Sequence, residues 1–385
     1  MTVRMLLRQV KLENLLSFRD TTVELRGLNV LIGANASGKS NLIEAIGLLQ
    51  AAPVDLSAAI RRLGGVRVVC SLAGSQYSPI AVIECKEING EPLQYRLEFS
   101  EEARGFLLLR ESLGTLAKGN GSGVAYFERI LRNVEFDGGK GQAEISPTES
   151  VFERYKIPTD TTPITRVGRR LEAIQIYREF RTTSDSQARI GAAVSSPPTW
   201  NKLYDGGGNL AVVLLELGFQ ELHERVRSYL RRFCERFNDV EIRLDDAGIA
   251  KTYIEEAGLL EPLVSWRLSD GTLKFLCLLA VLLDPEPAPL ICIEEPEVGL
   301  HPEAIQIVAE ALVDASERTQ LIITTHSEAL IDGLSDRPED VLVTERDFDN
   351  STQFRRLNKE QLSLWLERYS LGQLWRKGEL GGNRW

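Results

Sequence analysis

The chain has 385 residues, of which 43% are hydrophobic and 26% are charged, the ordinary composition of a folded globular protein with a sizeable core. Its formal net charge of −10 argues against a protein that binds nucleic acid over its whole surface, although a local basic face remains compatible with it. The length predicts two or three domains, or one large α/β unit with an insertion.

Cysteine use and the N-terminal segment indicate a cytoplasmic protein. The five cysteines form no CxxC pair and fit reduced core thiols better than a disulfide framework or a zinc site. The opening segment MTVRMLLRQVKLENLLSF lacks the apolar core of a signal peptide. The longest apolar run, FLCLLAVLL, is about half as long as a membrane span. We therefore expect a cytoplasmic protein with no membrane partner.

The N-terminal half is predicted to be mostly strands. Alternating apolar and polar residues predict half-buried strands in LRQVKLENLLSF and TTVEL, and the apolar run LNVLI predicts a buried one. Helical spacing follows in NLIEAIGLLQAA. The segments PIAVIECKE, PLQYRLEFS and RGFLLLRES predict an antiparallel sheet. Residues 112–160, which are rich in Gly, Ser, Thr and Asp, are expected to form loops.

The C-terminal half is predicted to alternate helices and strands. Residues 209–237 are predicted as helical, because apolar residues recur at three- and four-residue spacing. After short strands, GTLKFLCLLAVLL predicts a helix, LICIEE a strand, EAIQIVAEALVDASE a helix and QLIITTHS a strand. This alternation indicates a parallel sheet.

Residues 33–40, GANASGKS, match the pattern GxxxxGK[ST] of a phosphate-binding loop. They follow an apolar strand and open a helix, which is the context that the motif requires. Gly33 and Gly38 let the backbone turn so that amides point at phosphate oxygens, at the positive end of the helix. Lys39 would reach the β- and γ-phosphates, and Ser40 would place its hydroxyl on Mg²⁺. A glycine-rich turn with an unrelated lysine is the alternative.

The strand LICIEE ends in adjacent carboxylates, Glu294 and Glu295. Anions at the end of a core strand are costly unless a cation compensates them, and a magnesium–triphosphate would supply that charge. We assign Glu294 to Mg²⁺, through water, and Glu295 to orienting and deprotonating the attacking water, since adjacent strand side chains point opposite ways. A solvated acidic turn is the alternative. His326 ends the next apolar strand and is predicted to sense the γ-phosphate, whereas His223 receives no role.

Together these motifs resemble the ABC-type ATPase heads of the RecF/SMC/Rad50 group, and more closely the stand-alone ATPases related to OLD-type and AAA-family proteins. The matching segments are NLLSF, LIGANASGKSNLIEAI, GGGNLAVVLLEL, RLSDGTLKFLCLLAVLL, ICIEEPEVGLHP, IITTHSEALI and the tail YSLGQLWRKGELGGNRW. The resemblance implies an α/β P-loop NTPase fold, an ABC-type ATPase head with a mixed central sheet, an antiparallel β lobe and a small helical lid insertion. It covers most of the chain.

The resemblance also implies a homodimer in which ATP is sandwiched between the phosphate loop of one protomer and the signature loop LSDGT of the other. Residues 297–301 would cross the interface, residues 17–19 would lie near the base or ribose, and Gln76 is a candidate for the Q-loop glutamine. The implied cofactors are ATP and Mg²⁺. The implied catalytic residues are Lys39, Glu295 and His326, and the implied metal-binding residues are Ser40 and Glu294. The implied nucleotide-binding residues are Gly33, Asn35, Ala36, Ser37, Gly38, Lys39, Ser40, Asn41, Ser269 and Gly271.

Two features depart from the broader ABC pattern. Glu294 stands where that pattern has aspartate, which favours metal contact through water. In LSDGT, Asp270 brings a negative charge near a phosphate unless it turns away to cap the following helix.

We expect an N-terminal ATPase lobe over residues 1–165, a helical lid over 166–260, a C-terminal ATPase lobe over 261–345 and a tail over 346–385.

These observations predict an ATP-hydrolysing switch that dimerises on ATP, in DNA repair or phage defence. One alternative is a nucleic-acid sensor that works with a separate nuclease effector, with DNA bound by the basic segments RVRSYLRRFCERF and RVGRR. Against it, the acidic net charge favours a solvated helix face for these segments. A further alternative is the ATPase subunit of an ABC transporter.

Overall fold

The structure is a computed structural model that describes residues 5–70, 80–102, 105–116, 123–157, 159–194, 202–217 and 221–382. Its strands are β1 (Leu7–Leu15), β2 (Phe18–Glu24), β3 (Leu28–Ile32), β4 (Ile80–Ile88), β5 (Glu91–Glu102), β6 (Gly105–Thr115), β7 (Ala125–Ile130), β8 (Asn133–Phe136), β9 (Gly141–Glu144), β10 (Gln175–Tyr177), β11 (Ala192–Ala193), β12 (Phe237–Leu244), β13 (Ile249–Glu256), β14 (Leu263–Val264), β15 (Leu290–Glu294), β16 (Gln320–Thr324), β17 (Val341–Arg346) and β18 (Thr352–Arg356). Its α-helices are α1 (Lys39–Ala51), α2 (Leu56–Arg62), α3 (Val66–Val69), α4 (Val151–Tyr155), α5 (Pro163–Glu172), α6 (Gln187–Ile190), α7 (Leu210–Leu217), α8 (Glu221–Phe233), α9 (Asp270–Leu282), α10 (Pro302–Ala315), α11 (Glu328–Asp332), α12 (Lys359–Leu366) and α13 (Leu371–Arg376).

A six-stranded sheet carries the strands that precede the motifs, in the order β10-β15-β16-β3-β17-β18. Neighbouring strands from β10 to β17 are parallel, and β18 is antiparallel to β17. The parallel sheet predicted from strand–helix alternation is confirmed. Because parallel strands end at the same edge, the residues that follow β3, β10, β15 and β16 come together there.

Both faces of this sheet are covered. In β3, Val30 and Ile32 belong to one apolar core, whereas Leu31 belongs to a second. The first core contains the apolar side chains of α9 and α10, and the second contains those of α1 and the antiparallel strands. An uninterrupted apolar run is what a parallel strand buried on both faces requires.

An eight-stranded antiparallel sheet has the order β2-β1-β4-β5-β6-β7-β8-β9, which confirms the predicted antiparallel lobe. The prediction of loops over residues 112–160 was wrong, because the end of β6, the strands β7 to β9 and α4 lie there. The misleading composition comes from turns such as residues 137–139, where three successive residues take positive φ between β8 and β9. Strands this short contain too few alternating apolar and polar residues for a strand to be recognised from the sequence.

The segment predicted as a helical lid contains strands as well as helices. A small antiparallel sheet, β11-β13-β12 with β14 beside β13, packs against α7 and α8. The helix predicted over residues 209–237 is described as α7 and α8, with residues 218–220 outside the described part. It ends at Phe233, and a turn in which Phe237 N–H donates to the Cys234 carbonyl at 2.9 Å leads into β12. Apolar spacing persists through this turn, which is why the pattern missed it.

The longest apolar run of the sequence forms most of α9. Most of its side chains are buried in the first core, between the central sheet and α7. Within the described part of the chain, no helix combines the length and apolar character needed to cross a bilayer.

Candidate nucleotide site

The predicted phosphate loop joins β3 to α1 at the carboxyl edge of the central sheet. Gly38 has a φ of 109°, and a Cβ added there would lie 2.1 Å from Oγ1 of Thr352. A Cβ added at Gly33 would lie 2.4 Å from the carbonyl oxygen of Thr344. Glycine is therefore required by backbone conformation at Gly38 and by close approach at both positions.

Lys39 is the first residue of α1, and its side chain folds back over the loop. Nζ donates hydrogen bonds to the carbonyl oxygens of Gly33 at 2.9 Å and Ala34 at 3.0 Å, and only 6% of the residue is exposed. Burial lowers the pKa of the Lys39 ammonium to about 8, against the opposing fields of Glu295 and Glu297. A poorly solvated ammonium group of this kind is suited to an anionic ligand.

Ser40 and Glu294, the two predicted metal ligands, are in direct contact. The Ser40 hydroxyl donates a hydrogen bond of 2.8 Å to Oε2 of Glu294. Ser40 lies on the first turn of α1, and Glu294 is the last residue of β15. A hydroxyl and a carboxylate side by side provide hard oxygen ligands, the kind that Mg²⁺ takes.

Two residues that sequence analysis missed lie beside this pair. Arg178 follows β10, whose register with β15 places Tyr177 opposite Ile293. Nη1 of Arg178 donates to Oε1 of Glu294 at 2.8 Å, and the same nitrogen lies 2.9 Å from Oε1 of Glu44. The short apolar run IQIY could have predicted a strand before Arg178. The sequence gives no local sign that this strand pairs with β15, because that pairing depends on the order of strands in the sheet.

Glu295 lies one residue beyond β15 and has a φ of 44°, which is uncommon outside glycine. Its N–H donates to the carbonyl of Thr324 at 2.9 Å. Its side chain is 48% exposed, and Oε1 lies 3.9 Å from Nε2 of His326. This backbone turn gives Glu294 and Glu295 different surroundings, and strain of this kind concentrates at functional sites.

His326 follows β16, and its side chain is 36% exposed. Burial lowers the pKa of its imidazole, and the charge of Lys39 adds to this effect, whereas Glu295 and Glu297 oppose it. The lowered pKa favours the neutral form of the ring at pH 7. Oε1 of Glu297 accepts hydrogen bonds from the Thr325 hydroxyl at 2.7 Å and from the His326 N–H at 2.8 Å. The side chain of Glu297 thus links its own loop to the end of β16.

One cavity of about 310 Å³ brings most of the predicted site together. Its lining consists of Asn35, Ala36, Gly38, Lys39, Ser40, Asn41, Glu295, His326 and Arg346. Arg346 was missed by sequence analysis, although it supports the loop. Its Nε and Nη2 donate to the carbonyl of Ala36 at 3.1 and 3.0 Å. Arg346 ends β17, which neighbours β3, so again sheet order decides the contact.

Residues 17–19 lie beside the start of α1. Nδ2 of Asn41 donates to the Ser17 hydroxyl at 2.7 Å, and Arg19 forms an ion pair of 2.7 Å with Asp349. A role of this segment in binding the base or ribose stays a prediction. Gln76, the candidate Q-loop residue, lies outside the described residues.

The predicted signature forms the N-terminus of α9. Ser269 is the N-cap, and its hydroxyl accepts from the Thr272 N–H at 3.1 Å. The alternative in which Asp270 caps this helix was wrong. An N-cap residue has a non-helical backbone, which Ser269 adopts, whereas Asp270 is already the first residue of the helix. Asp270 instead accepts a hydrogen bond of 2.6 Å from Arg189. Ser269 and Gly271 are not among the residues that line the cavity of their own chain.

The arginines considered for nucleic-acid binding are largely paired with carboxylates. Each pair joins a basic residue of the two segments to a neighbouring element. The pairs are Arg225–Asp314, Arg227–Asp239, Arg232–Glu310, Arg236–Glu256 and Arg166–Glu91. These contacts cancel much of the local positive charge and favour a solvated, salt-bridged helix face over a basic groove.

The residues present fit a magnesium nucleotide. Besides the buried ammonium of Lys39, the Ser37 hydroxyl is buried without a hydrogen-bond partner in the described structure. The phosphate loop therefore offers an unpartnered hydroxyl and a buried ammonium, and Ser40 at its end contacts the carboxylate of Glu294. A phosphate loop, an acidic strand end and a histidine-terminated strand lie on one mixed sheet, and the chain has the P-loop NTPase fold of SMC head domains. Residues 28–332 match the family described as "AAA domain, putative AbiEii toxin, Type IV TA system", and the chain belongs to that family.

Solved structures of SMC heads share this fold, and a short segment of the chain matches a curated relative. The SMC head bound to the C-winged helix domain of ScpA is 14% identical with a TM-score of 0.51, covering 92% of this chain and 99% of that chain. The Smc head with an extended coiled coil, bound to the C-terminal domain of ScpA derived from Pyrococcus furiosus, is 13% identical with a TM-score of 0.51, covering 94% and 98%. At such identities these likenesses show the fold. The DNA double-strand break repair Rad50 ATPase of Sulfolobus acidocaldarius is 49% identical over 43 residues, which are 11% of this chain and 5% of that protein.

Proposed function

We propose that this chain is a Mg²⁺-dependent ATP hydrolase whose heads dimerise around ATP. The observation that carries the proposal is the hydrogen bond between Ser40 and Glu294, beside the cavity that Lys39, Glu295 and His326 share. This contact joins the phosphate loop to the acidic strand end. It therefore unites a group that binds phosphate, a pair that can hold a metal and a carboxylate that can act as a base.

The chain's own residues would divide the binding of the triphosphate between them. The Lys39 ammonium and the loop amides would bind the β- and γ-phosphates, since both donate hydrogen bonds, the ammonium carries a positive charge and the amide N–H groups carry a partial one. Ser40 and Glu294 would hold Mg²⁺, which when bound neutralises charge on the phosphate oxygens. Arg346 would keep the loop in shape through its two bonds to the carbonyl of Ala36.

Glu295 would orient the attacking water and take its proton. Its half-exposed carboxylate is open to solvent, and the imidazole of His326 lies 3.9 Å away. The water oxygen would bond to the γ-phosphorus while the bond to the β–γ bridging oxygen breaks, giving ADP and phosphate. The His326 imidazole would donate a hydrogen bond to a γ-phosphate oxygen.

A second copy of the chain would complete the site. Ser269 and Gly271 lie at the start of the 13-residue helix α9 and outside their own chain's cavity. A helix N-terminus offers unpaired amides to an anion, so this loop is suited to a partner's triphosphate. We therefore propose an ATP-sandwiched homodimer.

Glu295→Gln tests the base and the dimer together, because it keeps the side-chain size and removes the base. We expect turnover to fall about 10²–10⁴-fold and light scattering to show a dimer with Mg-ATP. Lys39→Ala should lose nucleotide binding. Turnover at the wild-type rate in Glu295→Gln would exclude the assigned base, and a monomer at saturating Mg-ATP would exclude the dimer.

A second candidate is a nucleic-acid sensor that acts beside a separate effector, in DNA repair or phage defence. The match to a Rad50 ATPase and the toxin named in the family description support it. The paired arginines weigh against a DNA surface on α8. DNA affinity that rises with ATP and falls steeply with salt would support this candidate. ATPase activity that is indifferent to DNA would count against it.

A further inference from the structure

Arg178 is held between two carboxylates at the edge of the proposed metal site. Its Nη1 lies 2.8 Å from Oε1 of Glu294 and 2.9 Å from Oε1 of Glu44, and its Nη2 donates to Oε2 of Glu44 at 3.0 Å. Glu44 lies one helical turn after Ser40 on α1 and therefore on the same face. Glu294 thus has the Ser40 hydroxyl on one oxygen and the Arg178 guanidinium on the other.

Glu44 and Glu294 approach the same nitrogen of this guanidinium, so their carboxylates face each other across it. Two carboxylates this close repel unless a cation compensates them. Divalent metal ions also bind carboxylate oxygens, at about 2.0–2.6 Å. The place of such an ion between Glu44 and Glu294 is taken by Arg178.

Solvent reaches this cluster from two sides. One cavity, of about 330 Å³, is lined by Arg178, Glu294 and Glu295 among others, and a second, of about 420 Å³, by Arg178 and Glu44. The side chains of Glu44 and Glu294 are 24% and 18% exposed. A hydrated ion therefore has a route to both carboxylates. Lys274 lines the first cavity and Arg62 the second, but Arg178 is the cation that contacts both Glu44 and Glu294.

We propose that the positive charge of Arg178 prevents Glu44 and Glu294 from binding a second divalent metal ion. The inference rests on the proposed assignment of Ser40 and Glu294 to Mg²⁺, and it confines that metal to the Ser40 side of Glu294. A neutral residue at position 178 would leave an uncompensated pair of carboxylates, which attracts a divalent cation. Arg178 would thus be a specificity-determining residue for metal occupancy.

Mn²⁺ binding to the full chain without nucleotide tests the proposal, with free Mn²⁺ measured by electron paramagnetic resonance. In Arg178→Gln we expect a site that binds Mn²⁺ at least tenfold more tightly than the wild-type protein does. Arg178→Lys keeps the charge and should show no such site. The double variant Arg178→Gln/Glu44→Gln removes one carboxylate and should lose the new site.

Two outcomes overturn the proposal. One is Mn²⁺ binding at the wild-type level in folded Arg178→Gln, with thermal melting as the check on folding and Arg178→Ala as the substitute if it does not fold. The other is a new site that survives in the double variant. The proposed function has its own readout, because Mn²⁺ bound with a non-hydrolysable ATP analogue should be lost in Ser40→Ala whatever happens at Arg178.

Discussion

Glu294 accepts a hydrogen bond of 2.8 Å from Ser40, although 254 positions separate the two residues in the chain. Ser40 lies on the first turn of the helix after β3, and Glu294 ends β15, which lies two strands away from β3 in the sheet. The contact means that the phosphate loop and the acidic strand end belong to one site. Each of the two proposed metal residues is oriented by the other before any metal binds.

Nucleotide affinity should fall as the pH rises above about 8. Burial lowers the pKa of Lys39 to about 8, so the ammonium of the free protein loses its proton through that range. Bound phosphates favour the charged form, so binding at higher pH requires uptake of a proton. The dissociation constant of an ATP analogue should therefore rise about tenfold per pH unit above 8, until the pKa of bound Lys39 is reached.

Calorimetry in buffers of different ionisation enthalpy checks this pH dependence directly. Proton uptake on binding should be close to zero at neutral pH and approach one proton at about one pH unit above the pKa. Affinity that is constant over this range, with no proton taken up, would contradict the lowered pKa of Lys39 or its contact with the phosphates.

Gly38→Ala should abolish nucleotide binding, because the new Cβ would clash with Oγ1 of Thr352 and force the loop out of shape. Gly138→Ala is the matched control. Gly138 has a φ of 67° and open space around an added Cβ, so it tests the backbone strain alone. We expect the control to lose about 1–2 kcal/mol of unfolding free energy and to bind nucleotide normally. Equal nucleotide affinities in the two variants would contradict the steric argument.

Arg129→Met should destabilise the antiparallel lobe by about 3–5 kcal/mol, because it leaves a buried carboxylate without its counter-charge. Arg129 and Glu111 are both fully buried, with 3.7 Å between Nη1 and Oε2. Glu111 also accepts hydrogen bonds from Tyr95 at 2.9 Å and Ser150 at 2.7 Å. Urea denaturation measures the change in unfolding free energy.

The exposed pair Arg8–Glu87 supplies the control for this measurement. Its two side chains are 56% and 45% exposed, so Arg8→Met should cost less than about 1 kcal/mol. The double variant Arg129→Met/Glu111→Leu should be more stable than Arg129→Met, since it removes the unpaired charge. A cost at Arg129 as small as at Arg8 would show that the buried pair contributes little.

Arg189→Ala should weaken the ATP-dependent dimer at least tenfold and leave nucleotide binding to the monomer unchanged. Arg189 donates to the Leu268 carbonyl at 2.7 Å and to Asp270 at 2.6 Å, so it holds both sides of Ser269. Sedimentation in Mg-ATP measures the dimer, with Arg243→Ala as the control in an exposed pair. Unchanged dimerisation in Arg189→Ala would remove the signature loop from the proposed interface.

The strands and helices around the motifs were predictable because their signals are local. An apolar run, a glycine-rich turn and helical spacing follow one another over residues 28–51, and the structure confirms β3 and α1 there. In two places the local sequence pattern gave the wrong secondary structure. Short strands after Thr115 were hidden by turn residues, and the turn before Phe237 was hidden by continuous apolar spacing.

Parts of the site could not be predicted for a different reason. Arg178 and Arg346 belong to no motif, and Glu44 lies beyond the phosphate loop within a matching segment that assigns it no role. The contacts of all three depend on which strands are neighbours. Strand order is set by packing across the whole sheet and leaves no pattern near any one of these residues.

The amino-acid sequence by itself determined the chemical groups of the candidate site and the local backbone that presents them. Glycine spacing, apolar runs and terminal carboxylates act over a few residues, so they can be recognised without knowing the rest of the fold. Only the tertiary structure decided that Ser40 meets Glu294, that Arg178 lies on its other side and that Ser269 is outside the cavity. The physical reason is that parallel strands bring their carboxyl ends to one edge in an order that only the packed sheet defines.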